Sequence, residues 1–126
     1  MGKGPTPYVN LLHLNRPRRR DGMSAYRWGD SEFLISGDGR DEALYELSST
    51  DIILFKRHPE AISARNLLKC HVSEMFEMGN RVGVVLMCGG EKLVAVIMKE
   101  TVNDMDIKEG VEVYAAIKAT AFRELG

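Results

Sequence analysis

Around Gly89-Gly90 the chain reads RVGVVLMC, then GG, then EKLVAVIM. Few folds accommodate that pattern. In 81–88, Val82, Val84 and Leu86 fall on one face and Val85 and Met87 on the other. In 91–98, Leu93, Ala95 and Ile97 alternate with Lys92, Val94 and Val96. A period of two is that of a strand. The glycine pair admits positive φ at little cost, so the two runs predict a hairpin. Residues 67–74 are too polar for a buried helix and read as a half-buried strand, followed by a turn at Met78-Gly79-Asn80. A last strand is expected over 112–119, with Val113, Ala115 and Ile117 opposed to Tyr114, Ala116 and Lys118. TVNDMD departs from this pattern. Thr101 three residues before Asp104 resembles a capping arrangement for one helical turn, which Lys108-Glu109-Gly110 would end. Short strands with glycine turns at this spacing predict a small barrel rather than βαβ units.

The N-terminal half repeats the order. Asn10-Leu11-Leu12 matches Asn66-Leu67-Leu68, and Asp21-Gly22 stands for Gly79-Asn80. Tyr26-Arg27-Trp28-Gly29 and Glu32-Phe33-Leu34-Ile35 parallel the strands around Gly89-Gly90. Residues 43–47 parallel 113–117. The first copy is shorter and has no counterpart of TVNDMD. The expectation is two tandem β-lobes, 1–57 and 62–126, joined by Lys56-Arg57-His58-Pro59-Glu60. Lobes this small bury little core alone, so they should pack together or oligomerise.

Composition narrows the function classes. A chain of 126 residues with 44% hydrophobic and 28% charged residues is that of an ordinary folded domain. A formal net charge of -1 argues against bulk binding to nucleic acid or an acidic membrane. Membrane insertion is not expected, because no apolar run reaches the length of a span and MGKGPTPYVN lacks a signal-peptide core. Cys70 and Cys88 are too few for a disulfide framework and lack zinc spacing, so a reducing, cytoplasmic setting is expected.

The stretch ISARN, residues 62–66, puts a hydroxyl, a guanidinium and an amide within four positions. A tetrahedral oxyanion carries only acceptor oxygens. Its site needs N–H and O–H donors and a cation to offset charge. Successive amides in a bent segment form an anion-binding concavity, to which Ser63 adds a hydroxyl. IKAT, 117–120, offers Lys118 as a counter-charge beside Arg65, and Thr120 as a second hydroxyl. The alternative is a solvated loop with a surface lysine, and spacing alone favours it.

ISARNLLKCHV, GGEKLVAVIMKETV and IKEGVEVYAAIKAT, in that order, resemble the Mop or molbindin (TOBE) family of molybdate/tungstate-binding domains over residues 62–122. YELSSTDIILFKRHPEAISARN resembles the segment before the Mop repeat in molybdate ABC-transporter ATP-binding subunits. The resemblance implies an all-β fold of tandem OB-like five-stranded barrel lobes, with oxyanions at lobe or subunit interfaces. The implied ligand residues are Ser63, Ala64, Arg65 and Asn66, with Lys118, Ala119 and Thr120 across the interface. Ala64, Arg65 and Ala119 would offer mainly backbone amides. The first lobe departs from the pattern: TPYVN replaces SARN, and Ser48 of LSST stands where Lys118 does. That lobe is expected to be the weaker or non-binding half. Cys70 replaces the family's usual glycine. No GxxxxGK[ST] occurs, so no ATPase activity is expected.

Other residues read as structural. Arg16-Pro17-Arg18-Arg19-Arg20 beside Asp21-Gly22 is a solvated turn, and Cys70-His71 on one strand face opposite ways and cannot form a catalytic pair. The methionines are core filler rather than a soft-metal site, and His13 and His58 are isolated. The resemblance implies a cytoplasmic regulatory module binding molybdate or tungstate, peripheral to the inner membrane through an ABC-transporter ATPase and its membrane subunits, and homo-oligomeric. Free-standing storage is the alternative, mildly favoured by the initial Met1. An OB-fold nucleic-acid binder is a third class, disfavoured by the charge and by Tyr26 and Trp28 being the only close aromatics near the basic run.

Overall fold

A computed structural model describes residues 8–125. Eleven strands and one short helix follow the period-two pattern: β1 Val9–Asn15, β2 Arg18–Arg20, β3 Met23–Trp28, β4 Ser31–Ser36, β5 Glu42–Ser48, β6 Ile53–Phe55, β7 Asn66–Met78, β8 Arg81–Cys88, β9 Glu91–Met98, α1 Lys99–Asp104, β10 Glu112–Ile117 and β11 Phe122–Leu125. They form three antiparallel sheets, ordered β1-β5-β11, β2-β3-β4 and β6-β10-β7-β8-β9. The fold is all-β and OB-like, as expected. The β8–β9 hairpin closes at Gly89-Gly90, both glycines at positive φ (60° and 92°).

The faint internal repeat is a detailed structural one. In the second half, β7 runs from its pairing with β10 into its pairing with β8, bending at a bulge between Val72 and Glu74. In the first half, Arg16-Pro17 interrupts the equivalent strand and yields β1 and β2, with Arg16 at φ 52°. Even a single loop bond is matched: Arg16 N donates to Asp41 O at 2.7 Å, and Val72 N to Val111 O at 2.9 Å.

The halves exchange strands. β6, from the first half, pairs with β10 (Ile53↔Ala116, Leu54↔Ala115, Phe55↔Tyr114). β11, at the end of the second, pairs with β5 in the equivalent register (Arg123↔Glu46, Glu124↔Tyr45, Leu125↔Leu44). A 3-10 turn precedes each exchanged strand, Ser49–Asp51 before β6 and Ala119–Ala121 before β11. The segment between 57 and 62 contains no strand, but backbone pairing ties the two sides of it together in both directions. One buried cluster includes Phe33, Tyr45, Leu47, Ile52, Leu86, Ile117 and Phe122, so the core is shared.

Two buried asparagines hold the seam. Asn66 Oδ1 accepts from Leu34 N (2.7 Å), while Nδ2 donates to Leu34 O (3.0 Å) and Ile117 O (3.2 Å). Asn10 does the same in reverse: Oδ1 accepts from Val94 N (2.8 Å), and Nδ2 faces Val94 O (3.0 Å) and Leu47 O (3.2 Å). Each amide joins its own half to an edge strand of the other, β4 or β9. The hairpin turns also abut: a Cβ at Gly29 would lie 2.9 Å from Gly89 O.

Four expectations change. The helix begins at Lys99, with extended Met98 at its N-cap and no side-chain cap, so Thr101 lies inside it rather than capping it. The register is set instead by Lys99 N donating to Asn80 O at 3.0 Å. The strand expected to reach Ala119 stops at Ile117, where the chain turns toward β5. Arg18-Arg19-Arg20, read as part of a solvated turn, form the exposed strand β2 paired with β3, and Lys99 opens α1 and pairs with Glu77 at 3.2 Å. Cys70 and Cys88, read as unlinked, face each other across β7 and β8 with Cα atoms 4.6 Å apart and form a buried disulfide. Their sequence separation of 18 gave no sign of this, because register rather than spacing brings them together.

The clamps predict a paired result. Asn10→Ala and Asn66→Ala each strand a buried N–H and C=O, at about 1–3 kcal/mol per group. Urea unfolding should show losses of roughly 2–4 kcal/mol for both, similar in size. A loss under about 0.5 kcal/mol for either would show that water replaces that clamp.

Candidate functional site

The register of β7 and β10 builds the site. Asn66 pairs with Ile117, so residues just before β7 lie beside residues just after β10. Ser63, Arg65, Lys118, Ala119 and Thr120 line one depression of about 370 Å³. Ser63, Arg65, Lys118 and Thr120 are exposed, so the depression opens to solvent. Ala121 N donates to Lys118 O at 3.0 Å, and this turn carries Ala119 and Thr120 around the rim.

The expected ligand residues therefore divide. Five of the seven share the depression. Ala64 lines an adjoining hollow of about 270 Å³ with Ile53, Phe55, Ile62 and Ala116, which Ser63 and Lys118 share with the depression. Asn66 is buried, its side-chain amide committed to Leu34 and Ile117, so it positions the site rather than presenting that amide to a ligand. Within this chain Lys118, Ala119 and Thr120 lie beside Ser63 and Arg65. Both segments belong to the same sheet, joined by the Asn66–Ile117 pairing. The residues that do cross the seam are Met23 and Ser36, a cross-strand pair on β3 and β4. Sequence reasoning missed both. The only available signal was the matched Asn10 and Asn66, which did not say which strand each amide would reach.

The lining is chemically one-sided. It holds two cations and three hydroxyls, with no carboxylate. Arg65 and Lys118 take part in none of the ion pairs among the described residues, a condition they share with Arg16, Arg20, Arg27, Arg57, Arg81 and Lys92. Two unpartnered cations side by side repel, and an anion between them relieves that repulsion. The arrangement can donate to an anion from several directions. Among the described residues, no group of three or more His, Cys, Asp or Glu could hold a bare metal ion. No helix there is long and apolar enough to cross a membrane.

The equivalent position in the other half differs. The repeat maps Lys118 to Ser48, Thr120 to Thr50 and Ser36 to Val96, while Ser63 maps to Pro7, outside the described residues. A cleft of about 410 Å³ lies there, lined by Thr50, Thr101 and Val96 with Ile53, Met98 and Met105, and by Arg81 as its one cation. Helix α1, absent from the first half, supplies its Met105 wall through the residue that ends it.

Comparison with known proteins agrees with this architecture. The TOBE domain model matches residues 62–123. Molybdenum-pterin-binding protein 3 of Clostridium pasteurianum is 39% identical over 61 residues, covering 48% of this chain and 90% of that protein. The molybdenum import ATP-binding protein ModC of Mannheimia succiniciproducens is 28% identical over 102 residues, 79% of this chain. The molybdate/tungstate import ATP-binding protein WtpC of Pyrococcus horikoshii is 38% identical over 71 residues, 56% of this chain. The matches span only 29% and 20% of those two import proteins. Among solved structures, the cytoplasmic molybdate-binding protein ModG with molybdate bound superposes with a TM-score of 0.69 at 18% identity, covering 91% of this chain and 92% of that one. The chain belongs to the TOBE-domain family.

Proposed function

We propose that this chain is a binding module for molybdate or tungstate rather than an enzyme. The observation that carries the reading is the carboxylate-free lining in which Ser63, Arg65, Lys118 and Thr120 converge. The names of the relatives, which bind or import molybdate, tungstate or a molybdenum pterin, support the choice of oxyanion. The chain is read as two OB-type lobes, 1–57 and 62–126, that exchange β6 and β11. Its oxyanion site belongs to the second lobe, and the first lobe's equivalent cleft, apolar and without the lysine, does not take the ligand. The open face of the site is covered by a second copy in a homo-oligomer.

A regulatory role beside an ABC-transporter ATPase follows from likeness to import ATP-binding proteins over most of the chain. Bound anion would then have to favour one arrangement of the transporter over another, since equal affinity for both shifts nothing. Free-standing storage is the second reading. It is favoured by the near-complete coverage of ModG and of molybdenum-pterin-binding protein 3. Sizing with and without molybdate separates them: a storage protein keeps one assembly at every anion concentration, while a regulatory module changes assembly or partner affinity on binding.

Calorimetry with molybdate, tungstate, sulfate and phosphate tests the reading itself. One molybdate or tungstate per chain is expected. Two equivalent sites per chain would contradict the assignment of the first lobe.

Lys118→Gln should weaken molybdate binding about tenfold. That is the low end for a charge-assisted hydrogen bond, because the lysine is exposed and screened. Stability without ligand should stay within about 0.5 kcal/mol, since no ion pair is lost. Lys92→Gln, on the exposed side of β9, controls for general charge. Equal weakening by both substitutions would reduce the effect to diffuse electrostatics.

A further inference from the structure

We infer that Ser36, on β4 of the opposite half, is a further ligand-binding residue, so that the oxyanion site straddles the seam within a single chain. This rests on the oxyanion-binding reading. Ser36 lines the depression together with Ser63, Arg65, Lys118 and Thr120, and it is the only hydroxyl there from the first half.

Its backbone is fixed on both sides. Two residues earlier, Leu34 has its N–H and C=O both bound to the Asn66 amide, the residue following Arg65. One residue later, Gly37 N donates to Gly22 O at 2.7 Å, and Gly37 O accepts from Ser24 Oγ at 2.7 Å. The same Ser24 Oγ accepts from Gly39 N at 2.7 Å, which locks the turn that follows. The clamp that joins the halves thus also sets where Ser36 stands relative to Arg65. A donor held this way costs little ordering when the anion arrives.

A second observation is independent of position. The repeat supplies a control within the same molecule: where Lys118 is replaced by Ser48, Ser36 is replaced by Val96. Val96 lines the counterpart cleft as Ser36 lines the site. The Asn clamp is kept at both seams, so the frame does not require a hydroxyl at this position. At these two matched positions a hydroxyl and a lysine occur together at one seam and are replaced together at the other, whose cleft keeps the hydroxyls of Thr50 and Thr101. That pairing fits a shared ligand and not a shared structural duty.

A bound anion then bridges β4 and the turn after β10, and binding tightens the contact between halves. Molybdate should raise the unfolding midpoint of the wild-type protein more than that of Ser36→Ala.

The test is calorimetric titration with molybdate on the full chain, with thermal unfolding of each variant without ligand. Ser36→Ala should weaken binding about three- to tenfold, the range for a neutral hydrogen bond. Ser36→Thr, which keeps the hydroxyl, should bind within about twofold of wild type on the same scale. Ser36→Asp puts a carboxylate against the anion and should abolish binding. All three should unfold without ligand at the wild-type midpoint, because Ser36 is exposed. Wild-type binding unaffected by Ser36→Ala and Ser36→Asp would overturn this inference and leave the oxyanion reading standing. A lower ligand-free midpoint for Ser36→Ala that accounts for the lost affinity would assign Ser36 a structural role and also overturn it. A wild-type chain that binds neither molybdate nor tungstate would overturn the oxyanion reading, and this inference with it.

Discussion

A primary amide is the side chain that can imitate a peptide group, offering an acceptor and donors in one plane. Asn66 and Asn10 use that property to stand in for a missing neighbouring strand. Leu34 and Val94 each find both backbone partners in one side chain from the opposite half. Buried backbone groups without partners are costly, so the halves cannot slide past one another without losing these bonds. Hydrophobic burial drives the two halves together but is indifferent to small displacements. The amides supply direction. Exchange of β6 and β11 adds backbone pairing on the far side of each sheet, and the shared core fills the space between.

That geometry decides where a ligand site can form. Pairing of Asn66 with Ile117 leaves two chain ends, 63–65 and 118–120, side by side where both sheet strands have stopped. Backbone there no longer satisfies its neighbours, and polar side chains open outward instead. The seam contributes Ser36 and Met23 from the other direction. Arg65 and Lys118 share this lining without a carboxylate. Seven arginines and lysines elsewhere sit against Glu32, Asp41, Glu124, Glu112, Glu77, Asp106 and Glu46, while Arg16, Arg20, Arg27, Arg57, Arg81 and Lys92 join no ion pair among the described residues.

Strand periodicity made much of this legible from residues alone. The β8–β9 hairpin and the halves' common order follow from alternation and from glycine at Gly89-Gly90. The β1–β2 break at Arg16-Pro17 was not foreseen, although proline's missing N–H makes it natural in hindsight. Strand exchange was invisible, since β6 and β11 are each too short to show a period and depend on partners far away in sequence. The same limit hid Ser36 and the Cys70–Cys88 juxtaposition, because register is a property of pairs. Asn66 was read as one of the donors of ISARN, and its clamp on Leu34 was not foreseen. An amide that serves a ligand and an amide that serves a neighbouring strand look identical in one dimension. The difference lies in whether a backbone N–H and C=O stand opposite it.

The two seams, set side by side, separate what folding requires from what binding requires. Both keep the asparagine clamp, the 3-10 turn and the exchanged strand that follows it. Those features recur because each half must be held against the other in the same way. Lys118, Ser63 and Ser36 belong to one seam only, and the other holds Ser48 and Val96 at the matching places. Asn10 keeps every bond that Asn66 makes and adds one to Ser49 Oγ at 3.3 Å, where the other half has Ala119. The donors are therefore a layer added to a frame that stands without them, and that layer can be removed residue by residue while the frame is left intact.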